Sequence, residues 1–231
     1  MHGFTFHDGL GRAARLACLA GAWWPLMACQ PTAHSGPSTP VASASGVARN
    51  DRSAQEQLWR ANPSPSKGME AAFEIHGAPG PFAEVRGDVA YQATNCNYVT
   101  SEWAGARASP SRMMPVSVSR TGTNGFVATV YRDGMQDEDY YGTGVCHWEL
   151  TSIRVGFSAT GAKSDTVYVV HLVGKDIHPG AVITQHFWRG DYPSLPGAVE
   201  TSNAGRRDAE GFGPDFRSNL FSIVATLREK K

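Results

Sequence analysis

From about residue 68 onward, apolar and polar positions alternate with period two. Met69–Ile75 alternates, and Ala83–Gln92 does so with Gly87 in its middle. In Met114–Arg120, Val116 and Val118 oppose Ser117 and Ser119; Thr121-Gly122-Thr123-Asn124-Gly125 then turns the chain, and Phe126–Arg132 returns. Such runs, bounded by Gly, Pro, Asn and Asp, predict half-buried strands and hairpins. Val145–Leu150 places Cys146, Trp148 and Leu150 on one face, but after Thr151-Ser152 the apolar phase flips to Ile153, Val155 and Phe157. A side-chain period of two makes such a flip the signature of a bulge or tight turn. Asp165–Leu172, Ala181–Trp188 and Asn219–Leu227 complete eight or nine short strands, with no long helical period among them. The fold class expected is all-β: one antiparallel sandwich or barrel-like domain over 68–231. The stretch 189–216 interrupts the pattern as a long surface excursion, and long connections are functional or mobile.

Upstream the pattern differs. Arg12 and Arg15 precede an apolar run, Leu16–Ala28, of the length of a signal-peptide core and too short to span a bilayer comfortably. It ends in Leu26-Met27-Ala28-Cys29, which resembles the bacterial lipobox. That resemblance implies removal of 1–28, lipid on Cys29 and, with Gln30 rather than Asp following, residence at the periplasmic face of the outer membrane. Residues 29–67 are rich in Pro, Ser, Ala and Gly and poor in large apolar side chains, the composition of a flexible tether. Such a chain spans roughly 35 Å. Within it, Ser53 and Glu56 have capping-box spacing, so a one- or two-turn helix is expected there, with Leu58 and Trp59 available to pack on the domain.

Composition narrows the function. The 231 residues carry 21 basic and 21 acidic side chains, a balance that excludes a nucleic-acid binder working through a basic surface. With Cys18 in the signal and Cys29 lipidated, Cys96 and Cys146 remain, an even pair in an exported chain, and a disulfide is the expected state. Zinc lacks a C-x-x-C or paired histidines. A catalytic pair of Cys146 with His147 conflicts with strand neighbours facing opposite sides. Trp103 and Trp148 flank the cysteines and are expected to pack around the bridge.

No catalytic motif is recognisable, and no cofactor is expected. Ser64-Pro65-Ser66-Lys67 has S-x-x-K spacing but lies in the Pro-rich stretch rather than at a helix start. Gly156–Gly161 misses the nucleophile elbow by one residue. The histidines at 34, 76, 147, 171, 178 and 186 are scattered; only His171 and His186, on adjacent predicted strands, are candidates to approach. Asp133–Gly142 gathers four carboxylates and two tyrosines, but Met135 breaks the alternation a calcium loop needs, so no metal is assigned. Two readings of this loop stand: a solvated acidic turn, or a partner-binding loop through Asp137, Glu138, Asp139, Tyr140 and Tyr141. Tyrosines favour binding hot spots, and carboxylates speed encounter with a basic groove.

The lipobox, the Pro/Ser tether, the β domain, Asn95-Cys96-Asn97-Tyr98 and Asp139-Tyr140-Tyr141-Gly142-Thr143-Gly144-Val145-Cys146-His147-Trp148 together resemble the small periplasmic lipoproteins that act as immunity proteins to toxic effectors of bacterial secretion systems. The resemblance implies binding and occlusion of one cognate secreted effector, with no chemistry by this chain. A structural or assembly lipoprotein of an envelope or secretion complex is the alternative.

Overall fold

In Gly68–His76 every second side chain is buried: Met69, Ala71, Phe73 and Ile75. Phe126, Ala128 and Val130 repeat the pattern in Gly125–Tyr131, and Phe221, Ile223, Ala225 and Leu227 in Leu220–Glu229. Each strand therefore offers one apolar face, and two sheets bury those faces against each other. The structure is a computed structural model and describes residues 52–230 except Pro196, Ala198 and Glu200. The expected signal peptide, the Cys29 lipid site and the tether through residue 51 lie outside the described residues.

In chain order the elements are helix α1 (Arg52–Leu58) and strands β1 (Gly68–His76), β2 (Glu84–Gln92), β3 (Tyr98–Ser101), β4 (Ala106–Ala108), β5 (Ser111–Val116), β6 (Val118–Arg120), β7 (Gly125–Tyr131), β8 (Glu149–Ser158), β9 (Val167–Val173), β10 (Val182–Trp188) and β11 (Ser202–Asn203), then helix α2 (Pro214–Arg217) and strand β12 (Leu220–Glu229). One sheet runs β10-β12-β1-β7-β6, the other β11-β9-β8-β2-β5, and β3–β4 stand apart as a two-stranded hairpin. Every strand pair is antiparallel except β11 with β9. The molecule is thus the all-β sandwich expected, and not a closed barrel. Aromatic side chains join the sheets: Phe157 meets Phe73 and Phe126 with ring centres 5.7 and 5.6 Å apart, and Tyr168 meets Phe221 at 5.0 Å.

The phase flip after Leu150 is a bulge. Tyr91 pairs with Leu150 and Ala90 with Ser152, which leaves Thr151 as the extra residue, its hydroxyl donating to the Ala90 carbonyl at 3.1 Å. That slip turns Cys146 and Trp148 inward and still buries Ile153, Val155 and Phe157. The predicted single strand Met114–Arg120 is divided: β5 pairs with β2 in one sheet, and after Ser117 β6 pairs with β7 in the other. Gly87 sits under this corner, where a Cβ would come within 2.7 Å of Val116 and 3.0 Å of Val118. The opposite edge is closed similarly. Ser202–Asn203 pairs with β9 of one sheet, and Arg206 then exchanges both backbone hydrogen bonds with His186 of β10 in the other. Both open sides of the sandwich are bridged by a chain segment, which covers part of the strand edges against foreign pairing.

The segment 60–67, expected to be flexible tether, is instead bound to the domain. Asn62 N–H donates to Gly134 O, Gln136 N–H to Arg60 O, and Ala61 pairs with Met135. Trp59 is 2% exposed, so the expected packing of that side chain is met, whereas Leu58 remains exposed. Composition misjudged this stretch because backbone hydrogen bonds and polar side chains, rather than large apolar side chains, make the contacts.

Candidate functional site

The end of the sandwich that carries the Asp133–Trp148 loop is built around a covalent bond. Cys96 and Cys146 form the expected disulfide, with Cα atoms 5.4 Å apart, and both are buried. Trp59, Tyr98 and Trp148 are buried in the same apolar cluster as the bridge, and Tyr141 packs against that cluster. Trp59 meets Trp148 edge-on at 5.5 Å and Tyr98 at 5.9 Å; Tyr98 stacks on Tyr141 at 6.3 Å; the Trp59 indole donates to the Tyr141 hydroxyl at 2.9 Å. Buried aromatic pairs of this kind contribute about 0.5–1.5 kcal/mol each beyond their area. The cluster joins three distant pieces of chain into one rigid body.

The five loop residues expected to meet a partner spend most of their polar groups on the fold itself. Asp137 accepts from Trp148 N–H at 2.9 Å and pairs with His147 Nδ1 at 2.8 Å. The Glu138 carbonyl accepts from Cys146 N–H at 3.0 Å, and its carboxylate lies 3.5 Å from the Arg60 guanidinium. Asp139 accepts from the backbone N–H groups of Tyr141 and Thr143; although what burial it has opposes ionisation, these backbone donors hold its carboxyl below the usual range. The Tyr140 hydroxyl donates to Gln136 O at 2.5 Å. Burial pushes the Tyr141 phenol up, with the Trp59 donor working the other way. Asp133, at the loop's start, accepts from Ser66 N–H (2.9 Å), Ser66 Oγ (3.1 Å) and Lys67 N–H (2.9 Å), which straps the N-terminal segment down. What remains outward is the solvent-exposed carboxylate edges of Asp137 and Asp139 and the half-buried rings of Tyr140 and Tyr141.

Trp103 departs from expectation. Whereas Trp148 is buried at 7% exposure, Trp103 is 94% exposed, at the tip of the β3–β4 hairpin, and does not pack around the bridge. The tip is Glu102-Trp103-Ala104-Gly105, closed by Gly105 N–H on Glu102 O at 3.2 Å with Gly105 at φ +63°. Only the hairpin's base is anchored, through Tyr98 and the disulfide at Cys96. The aromatic and β-branched run Tyr98-Val99-Thr100 followed by Gly105 carried a readable turn signal, but the strands are too short for the alternation to stand out.

The other candidate chemistry does not assemble. His171 lies on β9 and His186 on β10, strands of different sheets. Cys146 is tied in the disulfide, and His147 pairs with Asp137. Ser64–Lys67 runs without helix, its Ser66 hydroxyl given to Asp133. Among the described residues no three His, Cys, Asp or Glu side chains are grouped to hold a metal ion. Compared with known protein families, with curated proteins and with solved structures, the chain matches none.

Proposed function

We propose that the chain is a lipid-anchored binding protein of the bacterial envelope that acts without chemistry of its own, and that its disulfide-braced end binds and occludes a secreted toxic effector. The observation that carries this reading is Trp103. A large apolar ring held wholly in water, on a hairpin whose base is fixed by a disulfide and stacked aromatics, is costly to display and inexpensive to bury. Its surface of about 200 Å² would return roughly 5 kcal/mol on burial, before the losses of association. Tryptophan is among the residues most enriched at binding hot spots, and a preformed support reduces the ordering cost. The Tyr140–Tyr141 loop borders the same base through the Tyr98–Tyr141 stack, and Asp137 and Asp139 give that rim negative charge. The lipobox and tether would hold such an inhibitor where incoming toxins act.

The test is a titration of secreted enzymes from the source bacterium and its competitors with the full chain, reading enzyme activity. One enzyme inhibited at 1:1 stoichiometry, with Trp103→Ala weakening inhibition about 30-fold or more, is the expected result. Recovery of envelope-machine subunits with no enzyme inhibited would shift the assignment to an assembly lipoprotein.

A further inference from the structure

The described residues of the long excursion 189–219 fold against the β10 edge of the sandwich and form a cleft there that the disulfide-braced end does not share. Two short 3-10 turns, Arg189–Asp191 and Ala209–Gly211, and helix α2 shape it. Arg217 staples the segment, donating to Phe212 O at 2.9 Å and Glu210 O at 2.8 Å, while the Arg206–His186 backbone pair ties it to β10. The cleft measures about 730 Å³, within the size of small-molecule sites.

Its walls are aromatic. Trp188 meets Phe216 edge-on at 5.1 Å, and the Arg206 guanidinium lies over the Phe212 ring at 5.6 Å. Two glycines make room for this arrangement. A Cβ on Gly190 would fall 2.3 Å from the Trp188 ring, and one on Gly211 would fall 2.9 Å from Arg206 Cδ. The Trp188 indole and the Arg206 stem therefore rest directly on backbone, and their positions are set by packing.

Charge selects the occupant. Among the described residues Arg206 is the one ionised side chain lining the cleft, and no carboxylate of those residues lies within ion-pair distance of it. Two of the neighbouring acids are engaged: Asp191 accepts from Asn203 Nδ2 at 2.7 Å, and Asp208 caps Glu210 N–H at 3.3 Å. The Asn203 amide oxygen is taken by Gly205 N–H at 2.8 Å. Among the described residues that leaves a planar cation beside flat apolar walls, with the Thr201 and Ser202 hydroxyls and the Trp188 indole N–H as further side-chain polar groups. A sugar would need more free hydrogen-bonding partners than this, and a neutral hydrocarbon would leave the guanidinium unused. We propose that the cleft binds an aromatic carboxylate, its ring against Trp188, Phe212 and Phe216 and its carboxylate on the Arg206 fork, the geometry in which arginine binds carboxylates most strongly. The same chemistry belongs to a free aryl acid and to the C-terminal aromatic residue of a peptide. The site is independent of the partner reading above.

The experiment is calorimetric titration of the full chain with 2-naphthoate and with its neutral analogue 2-naphthalenemethanol. Naphthoate binds saturably below about 1 mM, and the alcohol binds at least tenfold more weakly. Arg206→Gln brings naphthoate down to the level of the alcohol, Arg206→Lys retains part of the difference, and Phe216→Ala weakens both ligands alike. A peptide ending in phenylalanine, with a free or an amidated C-terminus, separates the sources: preference for the free terminus extends the site to chain ends, and naphthoate bound alone restricts it to small acids. No saturable binding of naphthoate by the unmodified chain, or equal binding of acid and alcohol, overturns the proposal.

Discussion

Single carboxylates carry much of the local order. Asp165 is buried, and one of its oxygens accepts from Thr160 N–H (2.6 Å), Ser158 Oγ (2.8 Å), Gly161 N–H (2.9 Å) and Thr160 Oγ1 (2.9 Å). Burial opposes ionisation, but these donors outweigh it and hold the carboxyl below its ordinary value. Asp133 follows the same logic: desolvation opposes, and the Ser66 and Lys67 donors prevail. A carboxyl whose folded pKa is depressed contributes stability that is complete above the unfolded value, near 3.9, and drains away as pH falls through the lower folded value. Chemical denaturation is therefore expected to show an acid-limb loss of stability below about pH 4, shallower in Asp165→Asn. At neutral pH, Asp165→Ala is expected to cost about 2–3 kcal/mol, because it strands several buried donors. Trp103→Ala is expected to change folding stability by less than about 0.5 kcal/mol, since a side chain in water has no packing to lose. That contrast separates a residue kept for binding from residues kept for the fold.

At the scale of elements, the disulfide and the Trp59 strap hold one end together. The bridge closes a loop of sequence separation 50, for which chain entropy suggests about 4 kcal/mol. Cys96→Ala with Cys146→Ala is expected to lower the unfolding free energy by about that amount, and to raise proteolysis between Tyr98 and Ala108 before the sheets unfold. Trp59→Ala removes the centre of the aromatic cluster; a loss of about 3–5 kcal/mol and new cleavage within 60–67 are expected. The strands of the two sheets were legible because period two reports a buried face directly, and the slip at Thr151 was legible as a phase flip. Three features were not. The break at Ser117 keeps the alternation intact while the chain changes sheets, so no pattern marks it. Residues 60–67 attach through backbone hydrogen bonds and a few polar side chains rather than through apolar burial, which hydrophobic patterning does not reveal. The exposure of Trp103 depends on the hairpin standing apart from both sheets, a tertiary fact; sequence proximity to Cys96 pointed the other way. Of the candidate site, the disulfide and the unusual loop were legible, but the loop's carboxylates proved to be occupied in shaping it.

Among the described residues, the disulfide-braced end of the sandwich and its β10 edge are unlike. One edge of the sandwich is bridged by the β5–β6 corner, and the other in part by the Ser202–Arg206 segment, which pairs with Val167, Tyr168 and His186. What projects from this body is the Trp103 hairpin, beside the loop that holds the N-terminal strap. In the proposed account the lipid restrains the chain through residues 30–51, and the Trp103 tip presents the binding face. The most direct measurement is photocrosslinking in the source bacterium, with a benzophenone amino acid replacing Trp103 in one strain and Val182, an exposed residue on β10 at the sandwich edge, in another. The account predicts one dominant protein adduct from position 103, of the mass of a secreted enzyme, and none from position 182. No protein adduct at 103, or the same adducts from both positions, would contradict it.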